Sequence, residues 1–294
     1  MAHTHSPLRY PGGKSCLYPL ITAILRENSL KCPHYAEPYA GGASLALALL
    51  FGGQVSDIHL NDVDPGIWSF WNSVLNDTDA LTALIETTPI TVVEWRKQRE
   101  IYKAGDFAAS LKLGFATFFL NRTNRSGIIG TAGVIGGLAQ DGNYKIDCRF
   151  NREELMRRIN RIRKYRSQIH LTRDDALEFL KRGADIFPKR TFFAIDPPYF
   201  AKGSSLYTSF YSPSDHADVA KAILALPRPW ILTYDAADEI SSLYRDRPQF
   251  LFDIKYSLQT KRIGTELMIA SNGLLVPEEM QRKRFVDFDF SVAA

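Results

Sequence analysis

The chain has 294 residues, 45% hydrophobic and 23% charged, which is enough apolar material for a sizeable core and excludes a disordered or fibrous polypeptide. Its formal net charge is only +4, from 36 Lys and Arg against 32 Asp and Glu, which is mild for a protein dedicated to nucleic acid. The three cysteines (Cys16, Cys32, Cys148) form no disulfide or zinc-knuckle pattern and the histidines are scattered. A reduced, cytoplasmic protein without a metal site is expected. The first residues lack the basic-then-apolar pattern of a secretory signal. The longest apolar run, Leu45 to Phe51, is far below the roughly 20 residues of a membrane span.

In chain order, an apolar stretch at Tyr35-Ala36 leads through Glu37-Pro38-Tyr39-Ala40-Gly41-Gly42 into a helical run, Ala43 to Phe51. Val55 to Leu60 reads as a strand ending at Asn61-Asp62. After a long interruption the pattern resumes with a strand at Ile169 to Leu171, a helix at Ala176 to Leu180 and a buried strand at Phe192 to Ile195. Pro213 to Leu226 is predicted helical, with Ser212 and Asp215 as a capping box around a proline in the first turn. Trp230–Tyr234, Phe250–Ile254 and Glu266–Ser271 complete the strands. Short apolar strands alternating with helices predict an α/β fold with a mainly parallel sheet covered on both faces.

The interruption, residues 66–169, is helix-rich and basic, with 16 Lys and Arg against 10 Asp and Glu; the rest of the chain is slightly acidic. Near its end Asn151 and Glu154 can cap a helix whose Leu155, Ile159 and Ile162 share one face. Arg157, Arg161 and Lys164 fall on the other. Such a stripe suits phosphate contact, and it also suits an ordinary solvated helix face.

Four segments carry chemistry. Asp196-Pro197-Pro198-Tyr199-Phe200 follows a buried strand, so a carboxylate, a rigid proline carbonyl and an aromatic ring meet at the sheet edge where ligands bind. That set suits a planar base bearing an exocyclic amine. Glu37 to Gly42 lies at a strand-to-helix junction, and Asp62 follows at the end of the next strand, a separation suited to holding ribose hydroxyls. Leu8-Arg9-Tyr10-Pro11-Gly12-Gly13-Lys14-Ser15 lacks the spacing of a nucleotide-triphosphate loop. Asn121-Arg122-Thr123-Asn124-Arg125 precedes a glycine-rich stretch and could read base edges or brace a structural network.

Taken in this order, with Arg262, Glu266, Leu267, Ile269 and Asn272 forming a further Arg-x-x-x-Glu-Leu-x-Ile-x-Asn segment, the motifs resemble the Dam-like (D12 class) DNA adenine-N6 methyltransferases from Leu8 to about Asn272. The resemblance implies a Rossmann-like, S-adenosylmethionine-dependent sheet. Residues 1–65 and 170–294 would form the catalytic domain, and 66–169 an inserted helical, basic target-recognition domain. It implies catalytic roles for Asp196, Pro197, Pro198 and Tyr199. Cofactor contacts are implied for Tyr10, Lys14, Glu37, Pro38, Tyr39, Gly41, Gly42, Asp62, Asp196 and Asp175, with Asp174 a rival for the last. Expected DNA contacts are Arg9, Asn121, Arg122, Asn124, Arg125, Arg157, Arg161 and Lys164.

The implied activity is methyl transfer to N6 of an adenine flipped from double-stranded DNA, releasing S-adenosylhomocysteine. Cytosine-N4 methylation, glutamine methylation and a catalytically silent DNA-binding regulator are the alternatives. Asp rather than Ser or Asn before the two prolines, the basic insertion and the intact Asp62 disfavour them. The resemblance further implies a bacterial or phage-encoded monomer, acting alone or beside a cognate restriction endonuclease. The target sequence stays open, because Thr123 to Gly130 lacks the aromatic continuation of relatives that act on GATC, and Arg9 replaces their common lysine.

Overall fold

The computed structural model describes residues 5–10, 13–200, 211–256 and 262–278. Seven strands form one sheet: β1 (His34–Glu37), β2 (Asp57–Asn61), β3 (Ile169–Thr172), β4 (Phe192–Ile195), β5 (Trp230–Asp235), β6 (Gln249–Tyr256) and β7 (Arg262–Ala270). Their order is β3-β2-β1-β4-β5-β7-β6. The first five run parallel, as the sequence predicts, and β7 pairs antiparallel with both β5 and β6. This is a Rossmann-like α/β sheet. Its strand order reverses between β1 and β4, and in such sheets the crevice at the reversal is the ligand site.

The strand residues explain why both faces are covered. Tyr35, Phe192, Ile231 and Met268 join one hydrophobic cluster, while the adjacent Ala36, Phe193, Leu232 and Ile269 join the other. With side chains alternating along a strand, the two clusters are the two faces. The second face is packed by α8 (Ala176–Asp185) and by helices Pro213–Ala225 and Asp238–Leu243, through Phe179, Val219, Ile223 and Ile240. The Ser212/Asp215 capping box forms as predicted.

The first face carries most of the remaining chain: α1 (Tyr18–Glu27), α2 (Ser44–Phe51), α3 (Pro65–Asn76), α4 (Thr78–Thr87), α5 (Val92–Ala104), α6 (Ser110–Thr123) and α7 (Arg152–Arg163). The chain pattern gave no signal for α1, which opens with a proline in its first turn and buries Leu20, Ile21, Ile24 and Leu25. Residues 66–169 share a hydrophobic cluster with the sheet, because Phe70, Trp71, Phe118, Ile159 and Ile162 belong to the same cluster as Tyr35 and Ile58. Within it, α6 is buried on almost every side. It crosses α3 so closely that a Cβ on Gly114 would lie 2.5 Å from the Ser69 carbonyl oxygen. No described helix is long and apolar enough to cross a membrane.

Candidate active site

The cleft is built where three strand ends are tied together by one side chain. Asn61, fully buried at the end of β2, donates to the carbonyls of Pro38 and Asp174, each at 3.0 Å. Its oxygen accepts from Thr172 Oγ1 (2.7 Å) and the Asp174 N–H (2.8 Å). All its polar capacity is spent on fixing the loops after β1 and β3. The next residue, Asp62, accepts from the Gly41 N–H at 2.8 Å through one oxygen and from the Asp64 N–H at 3.0 Å through the other. Asp64 caps α3 by accepting from Gly66 and Ile67, with Pro65 in the first turn. Desolvation, with Asp64 adding a like charge, pushes the Asp62 carboxyl up to about 7 against those two N–H groups.

After β1, Gly41 takes a left-handed conformation (φ +46°) and Ala43 another (φ 46°) before α2 begins. The Trp71 indole N–H holds the Gly41 carbonyl at 2.8 Å. A Cβ at Gly41 would stand 2.7 Å from the Tyr10 ring, and one at Gly42 would stand 2.7 Å from Tyr10 Cβ. The absent side chains therefore let the N-terminal segment lie down over the turn. Glu37, at the end of β1, accepts from the Tyr35 hydroxyl at 2.9 Å. Burial, opposed by that bond and reinforced by the charge of Asp196, pushes its carboxyl up to about 8.

Across the reversal point, Asp196 follows β4. Thr233 of β5 donates its hydroxyl to Asp196 Oδ1 at 2.7 Å, and Lys14 Nζ lies 2.9 Å from Asp196 Oδ2. Lys14 Nζ is also 2.8 Å from the Tyr199 hydroxyl and 3.5 Å from Glu266 Oε2. The Tyr199 hydroxyl donates to Glu266 Oε1, and Glu266 is buried on β7. Burial alone would lower the Lys14 ammonium's pKa, but Asp196 and Glu266 outweigh it and hold the group charged. The Phe200 N–H donates to Asp235 at the end of β5 (2.9 Å), which anchors the motif downstream. Tyr10, Lys14, Glu37, Tyr39, Gly41, Gly42, Asp62, Asp196 and Pro198 line one cleft.

The chain matches the family model of D12 class N6 adenine-specific DNA methyltransferases over residues 10–262. This chain belongs to that family. Comparison with curated proteins gives no match. A crystal structure described as an RNA methyltransferase from Pyrococcus horikoshii aligns with a TM-score of 0.39 and 8% identity, covering 86% of this chain and 80% of that one.

The D12 motif residues are thus brought together from both ends of the chain, although Pro11 and Gly12 fall outside the described residues. Other expected residues are placed elsewhere. Asp175 caps α8 by accepting from the Leu177 N–H and is exposed, while Asp174 is ion-paired with Arg182. Neither lines the cleft. Pro197 and Tyr199 are both buried and neither is among the residues lining the cleft, and Pro38 gives its carbonyl to Asn61.

The expected DNA contacts divide sharply. Asn121 is fully buried; it accepts from the Arg9 N–H (2.7 Å) and donates to the carbonyls of Arg9 and Gly127, both at 2.8 Å. Asn124, also buried, accepts from the Trp95 indole (2.7 Å) and donates to the carbonyls of Ile128 and Ile129. These two asparagines brace the loop after α6 and have no amide group left for a base. On α7, Arg157 pairs with Glu154, and Arg161 stacks on Phe51 at 4.2 Å. Phe51 ends α2, whose first turn borders the cleft, so this stack lies at the other end of that helix from the cleft.

Arg125 is exposed at the head of the loop. There it lines a groove with Arg96, Arg99 and Lys103 of α5. Those three share a helix face at 100° per residue, a pattern visible in the sequence beside the stronger-looking stripe of α7.

Proposed function

We propose that this D12 methyltransferase transfers a methyl group from S-adenosylmethionine to N6 of an adenine flipped out of double-stranded DNA. The observation that carries the reading is Asp196, fixed by Thr233 on one oxygen and Lys14 on the other, at the sheet reversal and in one cleft with Glu37 and Asp62. S-adenosylmethionine, when bound, supplies an electrophilic methyl group on a sulfonium centre. The lining suits such a molecule: Asp62 offers acceptor lone pairs for ribose hydroxyls, Asp196 places a carboxylate near a cationic centre, Glu37, whose carboxyl is pushed up to about 8, is a group that an adjacent cation would help to ionise, and Tyr10 and Tyr39 offer aromatic walls.

The chain's own task is to make a poor nucleophile competent. The lone pair of an adenine amine is delocalised into the ring. Asp196 accepting one N–H, and the Pro197 carbonyl accepting the other, favour a pyramidal nitrogen whose lone pair is free to attack. Asp196 need not be a strong base, because the nitrogen becomes acidic once methylated. The Tyr199 hydroxyl is held between Lys14 and Glu266, which fixes the buried ring beside Asp196; its stacking role rests on the motif and requires the ring to be uncovered when the base enters. Base flipping costs a few kcal/mol, and stacking returns about 1–3 kcal/mol per base. Replacing Asp196 with Ala should abolish transfer of labelled methyl to unmethylated duplex DNA while DNA binding persists. Full activity in that variant would overturn the role of Asp196.

A further inference from the structure

Glu266 belongs to the Arg-x-x-x-Glu-Leu-x-Ile-x-Asn segment, which the proposed reaction leaves without a task. It sits on β7 with 1% of its surface exposed, behind the residues that line the cleft. One of its oxygens accepts from the Tyr199 hydroxyl, and the other lies 3.5 Å from Lys14 Nζ. Lys14 Nζ in turn stands 2.9 Å from Asp196 Oδ2 and 2.8 Å from the Tyr199 hydroxyl. Asp235, opposite Glu266 on β5, accepts from the Phe200 N–H at 2.9 Å.

A buried lysine against Asp196 poses a problem of charge. Alone, its ammonium would cancel the carboxylate that is to face a sulfonium centre. Burial by itself would lower the Lys14 pKa, and Asp196 first, then Glu266, reverse that. With Glu266 in place the ammonium is matched twice, and the three side chains together carry one net negative charge. Glu37 does not supply that charge in the free protein at neutral pH, because its carboxyl is pushed up to about 8.

We propose that Glu266 is a positioning residue acting through Lys14: it gives the group of Asp196, Lys14 and Glu266 the net negative charge by which the cleft prefers the cationic cofactor to its neutral product. The proposal rests on the S-adenosylmethionine reading. In the transfer, the amine lone pair forms the N–C bond as the S–C bond breaks, and the bonding pair stays on sulfur. One N–H proton then passes to Asp196. Ligand and side-chain group lose their opposite charges in the same turnover, so the attraction ends when the reaction does.

The test is titration calorimetry on the full chain without DNA, at one neutral pH, with S-adenosylmethionine and separately with S-adenosylhomocysteine. Glu266→Gln keeps the shape of the side chain and a carbonyl for the Tyr199 hydroxyl while removing the charge. It should weaken S-adenosylmethionine about tenfold, the low end of what one nearby opposite charge does to a cation, and leave S-adenosylhomocysteine unchanged. Lys14→Met/Glu266→Gln leaves Asp196 as the one charge of the group, and should return the ratio of the two affinities toward wild type. A purely structural role for Glu266 would weaken both ligands together and would not produce that return.

Equal weakening of both ligands, or an unchanged ratio in Glu266→Gln, overturns the proposal; a ratio that falls in Glu37→Gln instead would assign the preference to Glu37. If Glu266→Gln does not fold, Lys14→Met against the double variant reads the same charge. The added Gln must lower the ratio there, and no change overturns the proposal. A wild type that binds neither ligand sinks the cofactor reading and the proposal with it. A wild type that binds both, with the ratio kept in Glu266→Gln, sinks the proposal alone.

Discussion

Among single residues, the carboxylates of the cleft are held in unusual settings. Thr233 and Lys14 between them hold both oxygens of Asp196. Thr233→Val keeps the shape of the side chain and removes one hydrogen bond to a charged group, worth about 1.5–3 kcal/mol. Spent on orienting the base in the transition state, that loss should lower kcat about 10- to 100-fold. Steady-state kinetics should show it with little change in KM for DNA; a change confined to KM would assign Thr233 to binding instead.

Asp62 makes a second, pH-dependent prediction. In the proposed role as an acceptor for two ribose hydroxyls the carboxylate is the stronger form, and the Asp62 pKa stands at about 7. Affinity for S-adenosylhomocysteine should therefore rise with pH up to about 7 and then level off, with roughly tenfold weaker binding one unit below the pKa. Titration calorimetry between pH 5.5 and 8.5 checks this, and Asp62→Asn should bind weakly without the pH trend. Stability carries the opposite sign. The folded pKa lies above the ordinary value of 3.8, so the native state retains a proton that the unfolded chain loses. The carboxylate costs stability increasingly from about pH 4 to about pH 7, and no further above. Asp62→Asn should accordingly melt higher than wild type at pH 8, with the gap closing toward pH 4.

At the scale of elements, two close approaches set the shape of the cleft. Gly42 lies beneath Tyr10 and Gly114 lies against the backbone of α3 at Ser69. Gly114→Ala presses a methyl group on a helix backbone that cannot rotate away, so it should cost at least about 1–3 kcal/mol, read as a lower melting temperature. Gly42→Ala meets the side chain of Tyr10 instead, and should mainly weaken cofactor binding by lifting the N-terminal segment. A cofactor affinity unchanged in Gly42→Ala would mean that Tyr10 does not roof the site.

The elements also show what local sequence can reveal. The strand at Phe192–Ile195, the glycine turn after Glu37 and the Ser212 cap are written in consecutive residues, and each was legible. The partnership of Lys14 with Tyr199 joins residues 185 apart and exists because the sheet reversal brings β4 beside β1. Nothing in either segment alone announces it, and the same holds for Glu266 on an antiparallel strand among parallel ones. Asn121 and Asn124 illustrate the converse: polar residues beside a glycine loop look like base readers until burial shows that their amides are spent on neighbouring backbone.

At the scale of the whole molecule, the mild net charge of +4 averages a slightly acidic sheet with a basic insertion. Folding does not deploy the insertion's charge evenly. The face of α7 with Arg161 packs on the end of α2 away from the cleft, whereas Arg96, Arg99 and Lys103 flank Arg125 at the loop braced against Arg9. Neutralising Arg96, Arg99 and Arg125 together should weaken DNA binding uniformly across sequences and flatten its salt dependence, by up to about 0.9 in log–log slope per phosphate contact. Neutralising Arg161 and Lys164 should change neither. The reverse result would place the duplex on α7.

Methylation of an adenine amine is the activity proposed for the clustered cleft. It is tested most directly by incubating the protein with S-adenosylmethionine and unmethylated duplex DNA, digesting the DNA to nucleosides and identifying the modified base by mass spectrometry. N6-methyl-2′-deoxyadenosine with wild-type protein and none with Asp196→Ala is the result expected. N4-methyl-2′-deoxycytidine, or no modified nucleoside from DNA that the protein demonstrably binds, would contradict it.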